Sequence, residues 1–270
     1  MRLYDTHNHL QDHRLDPHRS GVMAAAAQAG VVRMVVNGSC ETDWPEVEAL
    51  ALNYPQVLPS FGYHPWYVKE RTPRWLDVLR DYLRHVPSAI GEIGLDRWVE
   101  GFDLPQQEEV FLAQLNLAAE WNLPVSIHCL QAWGVLFDLL RKNPRPAVGF
   151  VLHSYGGPPE MIKPLAALGA YFSLPGYFAE ERKARQRETF RHVPADRLLI
   201  ETDAPDQLLP DDRRRYPLTD LATGKPINHP AELITVYRFA AEVRNEPVES
   251  LAVQVEENFL RLFGAIQPLQ

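Results

Sequence analysis

The chain has 270 residues, 46% of them hydrophobic and 23% charged, an ordinary balance for a soluble globular protein and enough for one large core. Its formal net charge of −8 argues against a broad basic surface for nucleic acid, though not against a small site where bound cations supply the positive field. Without an apolar run of about 18 residues no helical membrane span is expected.

The opening residues contain no basic segment followed by an apolar stretch, so no signal peptide is expected. Only Cys40 and Cys129 are present, which suits a reducing compartment and a cytoplasmic protein, with a disulfide between them left open. The apolar start reads as a short strand running into Tyr4-Asp5-Thr6-His7-Asn8-His9. Residues two apart in a strand share a face, so His7 and His9 can reach one ion together, with Asp5 on the same parity as a supporting partner of the ligands or part of the strand's end. A helix is predicted over 17–30, with an alanine-rich centre and a glycine stop. The run at 31–36 is continuously apolar but for one arginine and rich in valine, as in a strand buried on both faces.

Further along, helices are expected at 43–53, 75–85, 104–121, 132–142, 159–168 and 180–192. Between them fall strands at 57–63, 88–93, 124–127, 147–152, 170–174 and 197–200. A polar loop covers 206–230, and two helices close the chain at 231–244 and 248–263. Eight short strands alternating with helices is the pattern of an α/β TIM (β/α)8 barrel in a single domain, 1–270. A doubly wound open sheet is the alternative, but the glycine-rich first turn common in that class is missing.

In a barrel the C-terminal strand ends converge on one mouth, where catalysis takes place. Here those ends carry His7 and His9, His64, Glu92, His128, His153 and Asp203. Five of the ten histidines sit at such positions, while His13, His18, His85, His192 and His229 are scattered in helices and loops. Neutral imidazole is a common ligand for divalent metals, and a carboxylate such as Glu92 within an apolar strand calls for a cation. Other readings exist for single residues: His128 or His153 as satisfied core histidines, Asp203 as a helix cap, His64 as a turn residue before Pro65. As a set, six ligands exceed the needs of one ion with an open position. Two ions about 3.5–4 Å apart, bridged by a carboxylate, fit better. No lysine among Lys69, Lys142, Lys163, Lys183 and Lys225 is placed to bridge after carbamylation, which leaves Glu92.

These residues carry a resemblance. Asp5-Thr6-His7-Asn8-His9, Gly62-Tyr63-His64-Pro65-Trp66, Gly91-Glu92-Ile93-Gly94-Leu95-Asp96, Leu123-Pro124-Val125-Ser126-Ile127-His128, His153-Ser154, Glu201-Thr202-Asp203-Ala204-Pro205 and Asn258-Phe259-Leu260-Arg261-Leu262-Phe263 run nearly end to end. In this order they resemble the TatD family of metal-dependent hydrolases, a branch of the amidohydrolase superfamily. The resemblance implies a TIM barrel, a divalent-metal site, and often a deoxyribonuclease activity that releases nucleotides from a 3′ end. It also implies that His7, His9 and Asp203 serve one ion and His128 and His153 the other, with Glu92 between. Asp203 would act as general base, and His64 would lie near the substrate.

Three stretches depart from the family pattern. His128 is followed by Cys129-Leu130-Gln131-Ala132-Trp133, where the family usually carries an arginine able to grip a phosphate. The sixth strand ends in His153-Ser154-Tyr155-Gly156-Gly157, and a late Asn-Glu-Pro reads Asn228-His229-Pro230. The expected function is therefore metal-assisted hydrolysis of phosphodiesters at DNA or RNA 3′ ends, with two divalent ions (magnesium, manganese or zinc). Trp66, Tyr155 and Tyr177 are candidate base-stacking residues, and Arg213-Arg214-Arg215 a candidate phosphate contact. Hydrolysis of a small ester, lactone or amide is the alternative, favoured by the acidic balance. A non-catalytic metal-binding scaffold is the weakest reading, because it would predict gaps in the ligand set.

Overall fold

The computed structural model describes residues 1–98 and 100–269. Eight strands follow one another around a single parallel sheet: β1 (Leu3–Asn8), β2 (Val31–Asn37), β3 (Val57–Phe61), β4 (Ala89–Asp96), β5 (Val125–Leu130), β6 (Phe150–Leu152), β7 (Ala170–Pro175) and β8 (Leu198–Glu201). Between and after them lie α1 (Arg19–Gln28), α2 (Trp44–Asn53), α3 (Trp75–His85), α4 (Leu104–Trp121), α5 (Trp133–Lys142), α6 (Ile162–Ala167), α7 (Ala184–Arg191), α8 (Leu233–Arg244) and α9 (Val248–Phe263). The result is the TIM barrel expected from the alternation. Among the described residues, no helix is long and apolar enough to cross a membrane.

Local chemistry sets the boundaries. Asp103 caps α4 by accepting from Gln106 N at 3.1 Å, Pro105 occupies the first turn, and Asn122 stops the helix in the left-handed conformation. At the α1–β2 turn Gly30 has φ +96°, and a Cβ there would stand 2.6 Å from Met1 O.

Contacts between the first and last strands close the barrel. Asp203 N donates to His7 O (2.9 Å), His9 N to Ala204 O (2.7 Å), and Thr6 Oγ1 to Ile200 O (2.9 Å). Two terminal helices back this seam: the Tyr237 hydroxyl on α8 donates to Tyr4 O and accepts from Tyr4 N, and the Phe259 ring on α9 lies 4.8 Å from that of Tyr4. Opposite, Trp44 of α2 packs edge-on against Phe61 and Tyr63 and donates Nε1–H to Gly62 O at 3.1 Å. That bond fixes the turn that delivers His64.

Several boundaries differ from the sequence reading. β4 and β5 run past the expected ends because their ladder continues through Gly94↔His128, Leu95↔Cys129 and Asp96↔Leu130, so His128 lies within a strand rather than just after one. Strands β3 and β6 are shorter than expected. A 3-10 turn (His13–His18) precedes α1, and another (Glu181–Lys183) takes the start of the helix expected at 180. The expected loop 206–230 contains a short antiparallel hairpin, β9 (Leu218–Thr219) with β10 (Pro226–Ile227). Cys40 and Cys129 are both free and buried, so the open disulfide question resolves to two thiols.

Candidate metal centre

The mouth of the barrel is organised around the Glu92 carboxylate, which is buried. Between Ile90 and Ile93 the β4 register slips by one residue against β5 (Val125 to Ile127), and within that bulge Glu92 N donates to Gly38 O at 2.8 Å. A bulge re-aims a side chain. Here it presents the two Glu92 oxygens to two different groups of donors. Oε2 faces His9 Nε2 at 3.2 Å and His7 Nε2 at 3.3 Å; both of these nitrogens also stand 3.7 Å from Asp203 Oδ1. Oε1 faces His153 Nε2 at 2.9 Å, His128 Nδ1 at 3.1 Å and His64 Nε2 at 3.5 Å. Three triads bring ligand atoms within 4.8 Å of one another: His7, His153 and Asp203; His7, His9 and Glu92; and His64, Glu92 and His128. All seven expected residues are thus in one place. His153 also lies beside the other half, its ring stacked on His7 at 4.0 Å and its ligand atom in one triad with His7 and Asp203.

The outward nitrogen of each ring indicates what the inward one can do. His9 Nδ1 donates to Asn37 O (2.8 Å), which leaves a lone pair on Nε2 facing two carboxylates. His128 Nε2 donates to Asp96 Oδ2 (2.8 Å), leaving the Nδ1 lone pair inward. His7 Nδ1 pairs with Ser126 Oγ (2.8 Å), and His153 Nδ1 faces Glu201 Oε1 at 3.6 Å. Such outer partners orient metal-ligating histidines and raise their basicity. Lone pairs aimed at carboxylate oxygens across about 3 Å repel unless a proton or cation lies between, so this donor set fits divalent cations. His64 is the exception. Its Nδ1 accepts from Trp66 N at 3.2 Å, so in the neutral ring Nε2 carries the hydrogen and acts as a donor.

Electrostatics agree. Burial opposes the charge on Glu92, yet the surrounding histidines, His153 foremost, hold its pKa well below the usual carboxylate range. Burial also works against protonation of His9 and His153, but the facing carboxylates win: His9 is raised to about 9 and His153 well above its ordinary value. Burial drives His64 down to about 3 and His7 to about 4, and lifts Asp203 to about 7. Without metal, protons on His9 and His153 take the place of cations.

Supporting carboxylates stand behind the ligands; the sequence leads one to expect Asp5 in that role, but not Glu201 or Asp96. Asp5 is not a ligand: its oxygens accept from Thr202 N (3.0 Å), the Thr202 hydroxyl and Asn8 Nδ2, binding β1 to the segment that carries Asp203. Glu201 accepts from Ser154 N at 2.8 Å and from the Ser154 and Ser173 hydroxyls, and so holds its charge behind His153. Asp96 takes His128, Trp66 Nε1 (2.8 Å) and Trp98 N (2.6 Å). Strand parity could have found it, since 92, 94 and 96 share a face. Gln207 Nε2 donates to Asp203 Oδ2 and Ser154 Oγ, a contact no motif signalled.

Some expectations fail. Tyr155 is fully buried, its hydroxyl bonded to Pro158 O, and cannot stack a base. Tyr177 has the Arg182 and Lys183 cations over its ring. Arg213 and Arg214 are paired with Glu242 and Asp211 rather than offered to a phosphate. At the altered Asn228-His229-Pro230, His229 Nδ1 accepts from Ala231 N at 2.9 Å, so the imidazole caps the turn where the pattern usually has an acid.

Comparison with known proteins gives the same answer over nearly the whole chain. The family described as TatD related DNase matches residues 4–264. A protein named 3′-5′ ssDNA/RNA exonuclease TatD from Escherichia coli K12 is 32% identical over 269 residues, 97% of this chain and 99% of that one. Its counterpart in Pectobacterium carotovorum is 33% identical with the same coverage. The crystal structure of YjjV, a TatD homologue from Escherichia coli K12, superposes with a TM-score of 0.88 at 28% identity, covering 97% of this chain and 98% of the other. With the barrel, the motifs in order and the match across 4–264, the chain belongs to the TatD-related DNase family of metal-dependent hydrolases.

Proposed function

We propose that this protein is a 3′-5′ exonuclease that hydrolyses phosphodiester bonds of single-stranded DNA or RNA with two divalent cations, magnesium, manganese or zinc. The observation that carries this reading is the division of Glu92: Oε2 faces His7 and His9, whose nitrogens also stand near Asp203, and Oε1 faces His128, His153 and His64. In this assignment His7, His9 and Asp203 would hold one ion and His128 and His153 the other, with Glu92 between. Relatives named as exonucleases at 32–33% identity support the substrate class. Bound divalent cations supply neutralisation of phosphate charge and acidification of water.

The remaining chemistry belongs to the chain's own residues. Asp203 takes the proton of the attacking water, while Gln207 holds its Oδ2. His64, neutral and with hydrogen on Nε2, donates to a phosphate oxygen as charge develops there. Glu92, buried between the two groups of histidines, would act as a carboxylate ligand rather than as an acid. The two buried free thiols suit the cytoplasm. We treat residues 1–270 as one domain, because the N-terminal strand, the mouth and the C-terminal helices share one barrel.

The test is nucleotide release from a 3′-labelled single-stranded oligomer with magnesium or manganese, beside chelator-treated protein and Asp203→Asn. Release that needs metal and falls about 100-fold or more in the variant is expected. A metal-loaded protein that releases nothing would overturn the reading. Hydrolysis of a small ester, lactone or amide would then lead, in keeping with the net charge of −8.

A further inference from the structure

The mouth carries a group of exposed aromatic side chains that the hydrolytic machinery does not use. Trp66 is 46% exposed, Trp98 63% and Phe102 40%, large apolar surfaces left in water at the edge of a buried polar site. The Trp66 ring and the Trp98 backbone share one anchor. Trp66 Nε1 and Trp98 N donate to opposite oxygens of Asp96, and the Arg97 guanidinium lies 5.9 Å from the centre of the Phe102 ring. The same Asp96 oxygen that takes Trp66 also takes His128, and the Trp66 ring stands 5.0 Å from that of His64. The apolar surface therefore begins where the metal centre ends.

We propose that Trp66, Trp98 and Phe102 form a stacking subsite that grips the bases of a single-stranded substrate beside the scissile phosphate. This rests on the exonuclease reading and deepens it. The chain has a net charge of −8, and the arginines that the sequence offered for phosphate, Arg213 and Arg214, are paired with Glu242 and Asp211. Aromatic faces grip a strand without charge and without reading its sequence. Because Trp66 hangs on the Asp96 oxygen that also holds His128, a base seated on it sets the strand's position relative to His64 and His128.

The experiment is steady-state hydrolysis by the metal-loaded full chain of an intact single-stranded oligomer and of one abasic at the second and third nucleotides from its 3′ end. Wild type, Trp98→Ala and Trp98→Phe are compared. Stacking contributes about 1–3 kcal/mol per base, so Trp98→Ala is expected to raise KM for the intact oligomer about 5- to 140-fold with a smaller change in kcat. Trp98→Phe should keep most of the wild-type KM. On the abasic oligomer wild type should already show the loss, and Trp98→Ala should add little to it. An unchanged KM for Trp98→Ala overturns the subsite, as do losses from variant and abasic site that simply multiply, the outcome for a structural role or a protein-docking face. Wild-type protein that cleaves a small ester such as p-nitrophenyl acetate but neither oligomer overturns the exonuclease reading, and the subsite with it.

Discussion

Asp96 shows how much of this site depends on residues that never touch an ion. Its carboxylate accepts from His128 Nε2 at 2.8 Å, fixing the ring so that Nδ1 points at Glu92. Removing such a partner typically costs 10- to 100-fold in metal affinity. For Asp96→Asn we expect a loss of about that size, because an amide nitrogen facing His128 can reverse the hydrogen bond and turn the lone pair outward. Chelator competition on the variant measures it; affinity within twofold of wild type would show that His128 needs no such anchor. Residue chemistry was partly legible beforehand. His7 and His9, two apart in a strand, announced a shared face, and Glu92 in an apolar run announced a cation. Glu201 and Gln207 did not, because their roles depend on contacts with Ser154, which lies about 50 residues away in the chain.

At the scale of elements, the alternation of strand and helix carried the barrel, since each strand needs a helix to return the chain for the next parallel pairing. What it could not carry was the bulge in β4. A one-residue register slip leaves no mark in hydrophobic patterning when the strand is buried on both faces, as Ala89–Asp96 is. Gly94 shows how tightly this region is built. It has φ +158°, and a Cβ there would lie 2.0 Å from His128 O and 2.9 Å from His128 Cβ. Gly94→Ala must therefore push β4 away from β5 at the ligand itself. We expect a loss of stability of about 2–4 kcal/mol together with weakened metal binding. Urea unfolding of metal-free protein separates the two effects; a variant as stable as wild type with full metal affinity would mean that the strands part without cost.

At the scale of the whole molecule, the metal centre is expected to exchange protons for cations. Ligation needs neutral imidazole, while in the metal-free chain the carboxylates of Glu92 and Asp203 raise His9 to about 9, and His153 is raised well above its ordinary value. The sign follows directly. Below about pH 9 His9 must shed its proton before it can bind, so protons compete with the ion and apparent affinity climbs with pH up to that point. At pH 7 metal uptake should release about one to three protons. Calorimetry in two buffers of different ionisation enthalpy counts them, and a titration from pH 6 to 9 should show affinity rising throughout. Heats independent of the buffer would mean that the histidines are already neutral, and that Glu92 faces them for a reason other than holding their protons in the absence of metal.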